Sequence, residues 1–171
     1  RQLGLAELKL HWVPVAPGNR VARLTAGEID LECGSTTNTL SRQEQVDFSL
    51  LTFADGGGLL MKIGSTMKGL ADAGGKRLGV VPGTTTERTL REVLAKQKIN
   101  AELVAFKDHA EGLAATMDGR IDAYASDRVI LVGLVLGSGN QKNLRMAEEL
   151  YSYEPYALML RKNDTAFRLA V

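Results

Sequence analysis

The sequence predicts an α/β protein of two lobes built on mostly parallel sheets, and three observations carry that prediction. Strand-like apolar stretches alternate with helical ones, first over residues 8–33 and again over 78–125, the order that gives parallel pairing. Each half has a strand that runs into a Gly/Ser/Thr loop and then a helix start: Gly34-Ser35-Thr36-Thr37-Asn38 in the first, Pro82-Gly83-Thr84-Thr85-Thr86 in the second. Between them Ala54-Asp55-Gly56-Gly57-Gly58 loosens the chain, which puts a lobe boundary or hinge near residues 53–58.

The elements follow in order. Leu8, Leu10 and Trp12 alternate with Lys9 and His11, the period of a half-buried strand, and Pro14 and Pro17 stop it, so a strand is expected near residues 8–13. Asn19 caps a short helix through Leu24 that ends at Gly27, and residues 29–33 read as a second strand. After the first loop, Ser41 and Glu44 have capping-box spacing at a helix start. The apolar run Leu59-Leu60-Met61 opens the second half, with a strand over 78–81, a helix to about Lys98 and a strand over 103–106. Asp108 with Glu111 caps a helix to Asp118 that stops at Gly119, a strand follows over 121–125, and Asp127 heads a helix toward Leu136. Residues 156–160 form a late strand, and Asn163 or Asp164 begins a last helix.

Composition removes several function classes. With 44% hydrophobic and 24% charged residues and a formal net charge of +1, the chain has neither the basic excess of a nucleic-acid binder nor that of a membrane-surface binder. Its longest apolar stretch, 129–136, is broken by Gly133 and falls far short of the roughly 20 residues that cross a bilayer. One cysteine, Cys33, allows no intrachain disulfide and no cysteine metal cluster. No nucleophile–base pair is selected, since His11 falls in an expected strand and Cys33 has no histidine near it in sequence. No cofactor or metal is implied. The absence of an apolar leader before Arg1 fits either a cytosolic protein or an exported one whose signal peptide has been removed.

The binding chemistry gathers at the two loop–helix junctions. Open α/β sheets take ligands outside the carboxyl ends of their strands, where helix N-termini present N–H groups and partial positive charge, so a small anionic ligand is expected. Ser35, Thr37 and Arg42 either converge on a carboxylate or serve as ordinary caps with a solvent-facing arginine. Pro82-Gly83-Thr84-Thr85 permits close backbone approach or is a plain turn, and it lacks the lysine of a phosphate loop. His109 sits at a helix start, where it either donates to a ligand carboxylate or is an ordinary surface or capping histidine. Asp127 either caps its helix or accepts from a ligand ammonium.

The segment 20–53, with Asn19-Arg20, Gly27-Glu28-Ile29-Asp30, the run from Glu32 to Asn38, Arg42 and Asp47-Phe48-Ser49, resembles the signature region of family 3 periplasmic solute-binding proteins. Gly83-Thr84-Thr85, Lys107-Asp108-His109, Gly119-Arg120, Asp127 and residues 156–162 match the glutamate/aspartate-binding subfamily in the same order. The resemblance implies a periplasmic binding protein-like fold (type II), two lobes with a hinge, and an amino acid held in an interlobe cleft for delivery to an ABC transporter permease. It implies that Arg42 forks the ligand's α-carboxylate with help from Thr37 and Thr84, that Asp127 and Ser35 take the α-ammonium, and that Arg20 and His109 hold a side-chain carboxylate. Pro17 and the pair Val81-Pro82 depart from the subfamily's more polar residues. Residues 1–5 resemble the tail of the family's first helix, and the opening strand and closing helices of its first lobe have no counterpart. The expected organisation is a partial first lobe over 1–56, a second lobe over 57–158 and a truncated return over 159–171, with self-association favoured by the truncation. An extracytoplasmic sensor module and a cyclohexadienyl dehydratase-like enzyme on the same fold are the alternatives to a periplasmic, non-enzymatic transport role.

Overall fold

A helix, a strand, a helical turn and a long strand open the described part of the chain, residues 7–171 of the computed structural model. These are α1 (Arg20–Thr25), β1 (Leu31–Glu32), α2 (Leu40–Gln43) and β2 (Asp47–Asp55). No strand forms over 8–13: Leu8, Leu10 and Trp12 are exposed, so their alternation has no sheet face to bury against. Asn19 precedes α1, but its side chain accepts from the Ala16 N–H at 2.8 Å and makes no cap bond. α2 is capped by Thr39, which accepts from the Arg42 N–H, and the Ser41–Glu44 box does not form because the turn already begins at Leu40. The resemblance of residues 1–5 to a helix tail lies outside the described residues, apart from which the chain continues as β3 (Gly57–Lys62), a 3₁₀ turn (Leu70–Asp72), β4 (Arg77–Val80), α3 (Thr85–Lys96), β5 (Glu102–Ala105), α4 (His109–Met117), β6 (Ala123–Asp127), α5 (Arg128–Ser138), β7 (Leu144–Met146), β8 (Glu154–Leu160) and α6 (Thr165–Ala170).

The chain divides into two compact units, Arg1–Phe53 with Pro155–Val171 (unit 1) and Ala54–Glu154 (unit 2). Unit 1 carries a three-stranded sheet in the order β1-β8-β2, with Leu31 opposite Leu160 in an antiparallel pair. Leu24, Val46, Phe48, Ala157 and Met159 form its core.

Unit 2 holds a five-stranded sheet in the order β5-β4-β6-β3-β7. β4 runs parallel to β5 and β6, as strands joined through helices do, whereas β3 is antiparallel to both β6 and β7. The unit 2 sheet is thus mixed, and its parallel pairing falls in the strand–helix–strand repeats that predicted it. β3 is buried on both faces: Leu59 and Met61 enter the cluster with Leu78, Val80, Leu90 and Leu94, while Leu60 enters the other with Phe106, Tyr124 and Leu131. Burial on both faces explains why its sequence is a continuous apolar run without alternation.

Gly57 and Gly58 are residues of β3, and a Cβ at Gly57 would fall 2.6 Å from the Tyr151 ring, so Gly57 is a place of close approach; the two units divide at Phe53 and Ala54, just before these glycines. Among the described residues no helix is long and apolar enough to cross a membrane.

Candidate functional site

In unit 1 the loop after β1 is built around a buried carboxylate. Glu32 accepts from the Gly34 N–H at 3.0 Å through Oε1 and from the Thr36 hydroxyl at 2.7 Å through Oε2. A Cβ at Gly34 would lie 2.4 Å from Oε1, so any larger residue there would push the acid out of its present place. Arg20, itself buried, sets its Nη1 3.8 Å from Glu32 Oε1 and donates to the Ser35 carbonyl at 3.1 Å. On the other side Arg42 Nη1 donates to the Thr37 carbonyl at 2.7 Å. The loop is then stitched to β8, through Ala157 N–H to Thr36 O at 3.1 Å and Asn38 N–H to Pro155 O at 2.7 Å. Ser35 and Thr37 therefore lie in one loop that Arg20 and Arg42 flank and bond through its carbonyls.

Unit 2 assembles its groups at the carboxyl ends of its parallel strands. Gly83, at φ +76°, turns the chain after β4 into α3. Thr84 caps that helix: its hydroxyl donates to Val81 O at 2.8 Å and accepts from the Glu87 N–H at 3.1 Å, so both of those functions are used inside the turn. Glu87 reaches back to the Gly83 N–H at 3.0 Å. Burial works against the Glu87 carboxylate, but its bonds to Arg91 and to Gly83 outweigh it and hold its pKa below the usual value. Two residues on, Thr86 donates to Asp127 Oδ1 at 2.8 Å, and both side chains are buried.

Asp127 stands at the end of β6 and the start of α5, yet its side chain makes no cap bond to that helix. The capping role that its position suggests is replaced by the bond across to α3. His109, the first residue of α4, meets Tyr124 of β6 through Nδ1 and the phenol oxygen, 2.8 Å apart. The phenol stays protonated, since burial, then Asp108 and Asp127, push its pKa well up. Unit 2 thus brings Thr84, Asp127 and His109 to one end of its sheet.

Glu32, Gly34, Thr36 and Thr86, which the sequence places only within motifs, and Thr39 and Tyr124, which it does not single out, are the supporting residues. An acid inside an apolar strand beside a Gly-Ser-Thr-Thr loop was a usable signal for Glu32, because a buried carboxylate needs local donors. Tyr124 gave none. Among the described residues no group of three or more His, Cys, Asp or Glu side chains is placed to hold a metal ion.

Comparison with known proteins adds the following. The family described as bacterial extracellular solute-binding proteins, family 3, matches residues 1–171. The chain is 35% identical over 168 residues, 98% of its own length and 56% of the relative's, to a glutamate/aspartate import solute-binding protein of Salmonella typhimurium. It is also 35% identical over 171 residues, 100% of its length and 57% of the relative's, to an L-glutamate/L-aspartate-binding protein of Pseudomonas aeruginosa. It spans little more than half of either curated relative. Among solved structures, an ABC transporter periplasmic binding protein from Brucella ovis with glutathione bound superposes with a TM-score of 0.86 at 29% identity, covering 91% of this chain and 50% of that one.

Proposed function

The chain belongs to the bacterial extracellular solute-binding proteins, family 3, and on that footing we propose that it binds an acidic amino acid, glutamate or aspartate, for delivery to an ABC transporter permease. Its place is then the periplasm and its role is transport, without catalysis; the relatives named above are binding and import proteins, and the residues gathered here suit a zwitterion. Arg42, with Thr37 and the α3 start at Thr84, takes the α-carboxylate. Asp127 and Ser35 take the α-ammonium, and Arg20 and His109 meet the side-chain carboxylate. The Thr84 contribution is its main-chain N–H at the helix mouth, since its hydroxyl already has a donor and an acceptor partner.

The observation that carries this reading is the buried carboxylate of Asp127. It is turned away from capping its own helix and held by Thr86, at the end of a strand where α/β sheets take ligands. A carboxylate so placed offers an ammonium group a fixed opposite charge.

Calorimetric titration of Arg42→Ala and Asp127→Ala with glutamate tests the reading. Removing one partner of a buried charge pair costs about 3–5 kcal/mol, about two to four decades of affinity, and circular dichroism should show each fold intact. Unchanged affinity in either variant would take that residue out of the site.

A further inference from the structure

We propose that Tyr124 is a positioning residue for His109: its hydroxyl donates to Nδ1 and holds the imidazole as the neutral tautomer that carries its proton on Nε2. Tyr124 is buried on β6, and its oxygen lies 2.8 Å from His109 Nδ1, the one hydrogen-bond partner it has among the described residues. A buried O–H needs an acceptor, and a protonated Nδ1 would leave this one with none. The phenol must therefore be the donor and Nδ1 the acceptor, which fixes the remaining proton on Nε2.

The fold keeps the ring in this place. Gly112 of α4 and Gly79 of β4 leave the space it fills: a Cβ at Gly112 would fall 2.2 Å from Tyr124 Cε2, and one at Gly79 would fall 3.0 Å from Cδ2. The two rings stand edge to face, with centroids 6.2 Å apart at 78°. The titratable groups that act on the phenol, or on which it acts, are Asp108, Asp127 and Tyr151; at the α4 cap Glu111 accepts from the Lys107 backbone N–H, and Arg128 at the α5 start donates through Nη1 to Glu148 O. The groove that His109 shares with α5 is lined there by Ile130, Gly133, Leu134, Gly137 and Ser138, none of which carries a charge.

The bearing on ligand choice rests on the reading that His109 meets the ligand's side chain. A neutral Nε2–H is accepted by an amide oxygen as readily as by a carboxylate oxygen, so discrimination by charge falls to Arg20. Tyr124 also opposes protonation of the imidazole, because a cation would take its only acceptor.

The test is ¹⁵N NMR of the imidazole nitrogens, with His11→Gln to assign the two histidines of the chain. Near neutral pH, His109 should show a protonated Nε2 and an accepting Nδ1. Tyr124→Phe, which keeps the ring and removes the hydroxyl, should give a mixture of tautomers and raise the His109 titration midpoint by about one pH unit. A proton on Nδ1 in the unmodified protein would overturn the proposal, and so would an unchanged tautomer and midpoint in Tyr124→Phe. If that variant fails to fold, the tautomer of the unmodified protein still decides. Glutamate added to the same samples separates the two readings: binding that leaves the His109 signals unmoved would remove His109 from the ligand site while Tyr124 keeps its role.

Discussion

Glu32 gives both carboxylate oxygens to the loop that follows it, so the shape of that loop depends on a single buried acid. In Glu32→Gln one accepting oxygen becomes an NH₂ group. Either Thr36 or Gly34 then loses its acceptor, and the buried Arg20 loses its counter-charge. The expected cost is about 1–3 kcal/mol of stability, measured as a lower urea midpoint with an unchanged slope. A loss under about 0.5 kcal/mol would mean that the loop holds its shape through β8 alone. At this scale the loop positions of Ser35 and Thr37, the helical turn at Arg42 and the strand-end position of Asp127 could be read from the sequence, while the ligand contacts proposed for them rest on the family resemblance. Tyr124 and Thr86 were not legible, because a tyrosine in a strand and a threonine in a helix's first turn are ordinary residues until their partners, 15 and 41 positions away, are placed beside them.

Helix starts are where local sequence speaks most plainly. The pair Asp108 and Glu111 does what its spacing implies: Asp108 Oδ1 accepts from the Glu111 N–H at 2.9 Å, and Glu111 reaches back to the Lys107 N–H at 3.1 Å. Gly119, at φ +72°, supplies the stop. Thr84 and Glu87 repeat the arrangement at α3. Because the folded pKa of Glu87 lies below its ordinary value of 4.5, its contribution is complete above that value and is lost as pH falls through the lower, folded one. Glu87→Gln should therefore cost roughly 0.5–1 kcal/mol at neutral pH, and less as the medium is acidified. Thermal melts between about pH 3 and pH 6 measure this, and a variant deficit that stays constant across the range would contradict it. Strands were less legible, for a physical reason. The alternation of residues 8–13 finds no partner strand, while Gly57, read as part of a loose segment, lies inside β3 and packs against Tyr151. Local pattern reports what a segment is able to do, and tertiary contacts decide whether it does so.

For the molecule as a whole, unit 1 leaves much apolar surface in view. Leu50, Leu51 and Phe53 are 88%, 57% and 51% exposed on β2, which stands at one edge of its sheet, and Leu40, Trp12 and Leu169 are exposed as well. Exposed apolar side chains beside an open strand edge favour association, so the 171-residue chain should form concentration-dependent oligomers in light scattering, weakened by Leu50→Lys. A monodisperse monomer at every concentration would refute this. The central claim, that the site is built for an acidic amino acid, is tested most directly by the ratio of glutamate to glutamine affinity in calorimetric titrations at neutral pH. A protein that holds its binding geometry only part of the time loses affinity for both ligands by the same factor, so the ratio survives where absolute affinities do not. Leaving the Arg20 guanidinium without its carboxylate should cost about 1–3 kcal/mol, so glutamate is predicted to bind about 5- to 150-fold more tightly than glutamine. Glutamine binding as tightly as glutamate, or neither ligand binding at all, would contradict the account.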